Sequence, residues 1–160
     1  MYAWLTEEIC AAAWRIVLPM VEQAWGTAIT NKLAGTIVVL DPYNGQVLFQ
    51  CRVRVDHRDA EKYDQIALAK ATVSWETGLP SRQVQQDAPH LFLPGMTKWG
   101  GSAIEHKLVV AFSGVQAVYD EAIAASMLAW IIALCRHEMT KEGGVMASDS
   151  SFIGEAIPQQ

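Results

Sequence analysis

Cysteine, positive charge and signature motifs are all scarce in this chain, and each scarcity removes a class of function. Three cysteines in 160 residues, Cys10, Cys51 and Cys135, stand far apart, with no CxxC and no Cys/His spacing of a zinc site. They read as core or half-buried thiols of a reducing compartment. Lys and Arg number 12 against 17 Asp and Glu, for a net charge of −5, and no basic run exceeds two residues. A phosphate-tracking surface is excluded, and with it a nucleic-acid partner. The amino terminus carries Glu7 and Glu8 and no positive region, so it does not read as a signal peptide. The longest uncharged run, Ala122 to Cys135, is shorter than the roughly 18 residues of a membrane span. The expectation is a cytoplasmic protein with no membrane partner.

Catalytic signatures are missing too. The histidines, His57, His90, His106 and His137, show no HxxxH or HExxH spacing, and no Walker loop, GxGxxG or GxSxG occurs. Ser113-Gly114 has no identifiable His-Asp relay, and Asp120 and Glu121 point to different faces of a helix, so they form no acid/base dyad. His90 and His106 read as loop residues; if a metal or tetrapyrrole binds, they are the candidates to offer an axial nitrogen.

What is present is a core. Hydrophobic residues make up 51% and charged residues 18%, enough for one domain without disulfides or metal. That domain is expected over 1–139, with 140–160 as a flexible polar tail. Thr6 reads as the N-cap of a helix to about Trp25, with a kink or break at Pro19 and a frayed end over Gly26 to Asn31. Residues 35–40 and 46–55 are strand-like runs about Asn44-Gly45, a hairpin with one covered and one wetter face. A helix from Asp59 or Asp64 to Glu76 stops at Gly78 and Pro80. Its stripe of Tyr63, Ile66, Ala67, Lys70 and Val73 or Ser74 makes Lys70 the odd member, either a snorkelling side chain or an anion-binding amine.

Residues Leu79 to Gly101 are irregular, with a short helix near Ser81 to Gln86. Two short strands follow, Ser102 to Glu105 and Leu108 to Ser113, joined at His106-Lys107. The last helix runs from Val118 to His137 or Met139 and stops before Gly143-Gly144. It is apolar nearly all round, with Ile123, Met127, Trp130, Ile131 and Leu134 on one stripe and small residues on another. It therefore needs cover from the sheet and from a second helix or neighbouring subunit.

The ordered set Ile37-Val38-Val39-Leu40-Asp41 with Asn44-Gly45, Ile66-Ala67-Leu68-Ala69-Lys70-Ala71, Gly100-Gly101, and Val110-Ala111-Phe112-Ser113-Gly114 leading to Asp120-Glu121-Ala122 resembles the GlcG/HbpS-like family. That family includes the carboxy-terminal domain of PduO-type proteins. The resemblance implies an α/β fold of the α+β type, profilin-like and layered, with about five antiparallel strands flanked by helices. It also implies homo-oligomers, and haem or a corrinoid as cofactor. The sequence departs from the pattern at His106-Lys107, where the family usually has glycine, at Ala111-Phe112 within its common Gly-Val-Ser-Gly, and in a first helix without histidine.

Residue chemistry and resemblance together favour Lys70, Ser113, Gly114 and Asp120. A Ser-Gly turn feeding a helix start exposes amides that attract anions, Gly100 and Gly101 permit close backbone approach, and Trp99 could wall a flat ligand. The alternative is structural: Asp120 caps the helix, Lys70 pairs with it, and the glycines satisfy turn geometry. The leading expectation is a small-molecule-binding module for haem, a corrinoid or an organic anion. A haem-degrading or related enzyme, and an oligomeric scaffold joined through the last helix, stand beside it.

Overall fold

Thr6 opens the first helix, α1 (Glu7–Ala24), by accepting a hydrogen bond from the Ile9 amide at 3.2 Å. The computed structural model describes residues 2–24, 27, 34–53, 59–141 and 153. Most of the expected frayed segment 26–31, the strand's continuation through Arg54 and Val55, His57, and nearly all of the tail with Gly143-Gly144 lie outside the described residues. The expected break at Pro19 does not occur, and α1 runs through it as one helix. Pro19 and Arg15, whose carbonyl loses its partner, both face solvent, where water replaces the missing bond. The opposite face, Cys10, Ala13, Trp14, Val17 and Val21, is buried at helical spacing.

The next two elements, β1 (Thr36–Leu40) and β2 (Val47–Arg52), form the anticipated hairpin. Its loop is wider than an Asn-Gly turn. Gly45 takes a left-handed φ of +69°, whereas Asn44 does not. Asp41 organises the loop instead, accepting from the Tyr43 amide at 2.7 Å and the Tyr2 hydroxyl at 2.6 Å. Gly45 lies against Trp75, and a Cβ there would come within 2.7 Å of the indole. A register shift between Val39 and Leu40 marks a bulge at Leu48.

Two more strands, β3 (Ser102–Glu105) and β4 (Leu108–Ser113), complete one antiparallel sheet in the order β2-β1-β4-β3. It has four strands rather than about five: among the described residues, the β-rich runs of the sequence supply these and no more. Helix α2 (Ala60–Thr77) covers one face, meeting Val38, Leu40, Val109 and Ala111 through Ala67 and Ala71. Helices α1 and α4 (Ala117–Thr140) cover the other, around Ile37, Val39, Val110 and Phe112. The expectation of a wetter face is therefore corrected for the central strands, since every residue of β1 and β4 is buried. The two edge strands keep partly exposed positions, β2 along most of its length and β3 at Ile104 and Glu105.

Asp64 pins α2 to that edge. It accepts from the Thr36 hydroxyl at 2.6 Å and from Arg52 Nε at 3.0 Å, a pair of residues that face each other across β1 and β2. The Arg52 guanidinium holds the Asp64 carboxyl below its ordinary value against the opposing effect of burial.

Helix α2 ends at Gly78, left-handed at φ +74°, whose amide donates to the Ser74 carbonyl at 2.8 Å. A short helix, α3 (Ser81–Asp87), and a 3₁₀ turn (Pro89–Leu91) follow within the long connection. By length and composition alone α4 is able to cross a membrane, with a third of its most apolar window buried in the structure. It packs on the sheet and beside α1, as its all-round apolarity requires.

The β3–β4 turn carries strain. His106 (φ +47°) and Lys107 (φ +69°) both occupy the left-handed region, the geometry of a two-residue type I′ turn, at a cost of about 1–2 kcal/mol per L-residue. Replacing Lys107 by glycine removes this cost at one position. Lys107→Gly should raise stability by about 1 kcal/mol after allowance for unfolded-chain entropy, measured as a higher thermal midpoint.

Candidate functional site

The sequence-predicted residues divide into two groups in space. Lys70, Gly101, Ser113, Gly114 and Asp120 come together where β4 leads into α4. Trp99, His90 and His106 stand apart from them.

Lys70 projects from the buried face of α2 toward the end of β4. Its ammonium donates to Asp120 Oδ2 at 2.7 Å and to the Phe112 carbonyl at 3.1 Å. Both members of the pair are 2% exposed. The snorkelling expectation is thus corrected: the amine points inward, because a buried carboxylate and a backbone carbonyl replace its water. Asp120 Oδ1 turns back to accept from the Val115 amide at 3.0 Å, and the Gly114 amide supports the same carboxylate. The amides that could hold an external anion at this helix start are occupied by the chain's own carboxylate. Burial pushes the Asp120 carboxyl above its ordinary value, against the lowering influence of Lys70 and these amides.

Gly101 makes the meeting possible. At φ +134° it passes directly over the pair, and a Cβ there would lie 2.7 Å from Lys70 Nζ and 2.9 Å from both the Asp120 Cβ and the Phe112 carbonyl oxygen. Gly114 is equally confined, since its Cβ would reach 2.3 Å from the Ala34 carbonyl oxygen. Ser113 is buried in β4 opposite Thr36. Gly100 sits beside Arg82 of α3, which holds Glu121 at 2.8 Å. Asp120 and Glu121 thus face different partners, as their helical positions dictate. The cluster is a closed contact rather than a hollow. Among the described residues, every buried side-chain nitrogen and oxygen has a partner.

Trp99 is 52% exposed, with Lys98 Nζ 5.0 Å above its ring. His90 is exposed in the 3₁₀ turn, and His106, its side chain 93% exposed, tips the strained hairpin. Neither histidine lines a cavity with the Lys70 cluster. Cys10 is fully buried and its thiol is pushed up to about 12 by burial, so it is inert. No group of three or more metal-ligating side chains occurs among the described residues.

An open cleft lies on the solvent side of α2. One wall is the outward stripe Gln65, Leu68, Ala69, Thr72 and Glu76; the other is the turn Leu93-Pro94-Gly95-Met96. Its volume is about 540 Å³. The turn is folded on itself, the Met96 amide donating to the Leu93 carbonyl at 3.1 Å and the Leu93 amide to Met96 Sδ at 3.3 Å. Sequence reasoning missed these residues. The signal was present: the stripe recurs at helical spacing opposite the buried one, and Leu68 breaks its polarity.

The pair gives a stability test. Removing one partner of a buried ion pair costs about 3–5 kcal/mol, since the other charge is stranded. Lys70→Met and Asp120→Asn should each lose stability in that range, and the double variant should lose less than the sum, measured by denaturant unfolding.

No family model and no curated protein matches the sequence. Solved structures do. A double mutant of Streptomyces reticuli HbpS is 22% identical, with a TM-score of 0.60 over 81% of this chain and 88% of that one. Klebsiella pneumoniae protein ORFY is 22% identical, with a TM-score of 0.54 over 76% and 89% of the two chains. A complex of PduOC with haem is 16% identical, with a TM-score of 0.58 over 79% and 94%. With its helices layered on both sides of an antiparallel sheet, this chain has the GlcG/HbpS-like fold.

Proposed function

We propose that this protein is a small-molecule-binding module whose ligand sits in the cleft between α2 and the Leu93–Met96 turn. The observation that carries this reading is the contrast between a sealed interior and an open, mostly apolar hollow of about 540 Å³, a size within the ordinary range of ligand sites. A neighbour in fold, PduOC, is solved with haem, which supports small-molecule binding as a use of this architecture. Haem itself suits this cleft poorly. No histidine lines it, and haem propionates would meet Glu76 with no lining Lys or Arg to receive them. An organic anion faces the same charge. Catalysis is not favoured: the lining hydroxyl, Thr72, donates to the Leu68 carbonyl at 2.8 Å, and no lining histidine or cysteine could activate it.

A second reading concerns assembly. The outward face of α4 exposes Ala122, Ala125, Ala129 and Ala133 at helical spacing, with Trp130 44% exposed beside them. Small side chains let a second copy's helix approach closely, and an exposed tryptophan supplies an anchor. We propose a homo-oligomer joined through this face.

Both readings have direct tests. Titration with 1-octanol, followed by backbone amide NMR, should give saturable shifts at 65–76 and 93–96. Thr72→Trp, a substitution at an exposed position, should fill the cleft and abolish them without lowering the thermal midpoint. Shifts that ignore this variant, or none at all, would sink the cleft reading. Light scattering at micromolar concentration should show a mass above the monomer that falls in Trp130→Glu; a strict monomer contradicts the assembly.

A further inference from the structure

We infer that the cleft selects ligands bearing one positive charge at the end of an apolar body, and that Glu76 sets this preference. The inference rests on the cleft being a ligand site and goes further by naming the ligand's charge.

Three features of the cleft carry it. The lining side chains include one ionisable group, Glu76, and no Lys, Arg or His. Among the described residues no cation is paired with Glu76, so its charge is available to a ligand. It also lies in the last turn of α2, which ends one residue later at Thr77. The partial negative charge of a helix carboxyl end therefore adds to the carboxylate at the same end of the cleft. Leu68 and Ala69 lie farther back along the same wall. From Leu68 to Glu76 the helix advances about 12 Å, so an apolar body on Leu68 and Leu93 places a terminal cation at Glu76. An anionic end in the same pose meets repulsion.

The test compares octyltrimethylammonium, 1-octanol and octanoate, ligands of one chain length and three charges, by NMR titration at low salt. The expected order is cation, alcohol, anion, with the cation about three- to fivefold tighter than the alcohol, as an exposed charge pair provides. Glu76→Gln should remove most of the cation's advantage over the alcohol, leaving only the small part that the helix end contributes. Glu76→Lys should reverse the order of cation and anion. Equal binding of all three probes, or a cation preference undiminished by Glu76→Gln, overturns the inference while leaving the cleft as a ligand site. Failure of all three to bind overturns both.

Discussion

The meeting of Lys70 with Asp120 beneath Gly101 is the constraint on which the rest of the structure depends. Lys70 belongs to the helix on one face of the sheet and Asp120 to a helix on the other. Their contact ties the two outer layers together at the end of β4, and it exists because the residue between them has no side chain. The same carboxylate gathers the amides of Gly114 and Val115 and so aims α4. One ion pair thus sets the spacing of the layers and the direction of the longest helix. Such pairs contribute little net stability against an apolar replacement, but they fix which arrangement is adopted.

This arrangement also bears on where the proposed ligand site lies. Lys70, Ser113, Gly114 and Asp120 have the composition of an anion site, yet the Lys70 ammonium and the Gly114 and Val115 amides are already taken up by the Asp120 carboxylate. Among the described residues, an open cleft lies on the reverse side of the same helix. Helix α2 therefore has two roles on two faces, its inner stripe bracing the layers and its outer stripe forming a wall of the cleft.

Much of the fold was legible because local rules and tertiary packing agree. Thr6 and Gly78 mark helix ends that the structure keeps. Helix α4 buries Ile123, Met127 and Ile131 of its apolar stripe while Trp130 turns outward. The alternation of β2 is interrupted by the bulge at Leu48 and is not seen in its burial. The disagreements have specific causes. Pro19 failed to break α1 because the carbonyl it orphans faces water, a matter of orientation that sequence spacing alone does not reveal. Both sides of β1 and β4 are covered because a helix from a distant part of the chain returns to the second face. At the site, pattern brought Lys70, the glycines and Asp120 into one neighbourhood, but whether a cluster is hollow depends on distances of a few tenths of an ångström. The cleft was less legible, since its second wall is a turn whose only signal is Pro94-Gly95.

The strand order β2-β1-β4-β3 has a consequence for how the chain reaches this state. Each outer strand is zipped to its neighbour through a short local turn, so two hairpins are able to form early and independently. The central seam, where Thr36 to Leu40 lies against Val109 to Ser113, joins segments roughly seventy positions apart and must await closure of the intervening loop. Assembly speed is therefore governed at that seam, and the residues that meet beside it form the last join to be made.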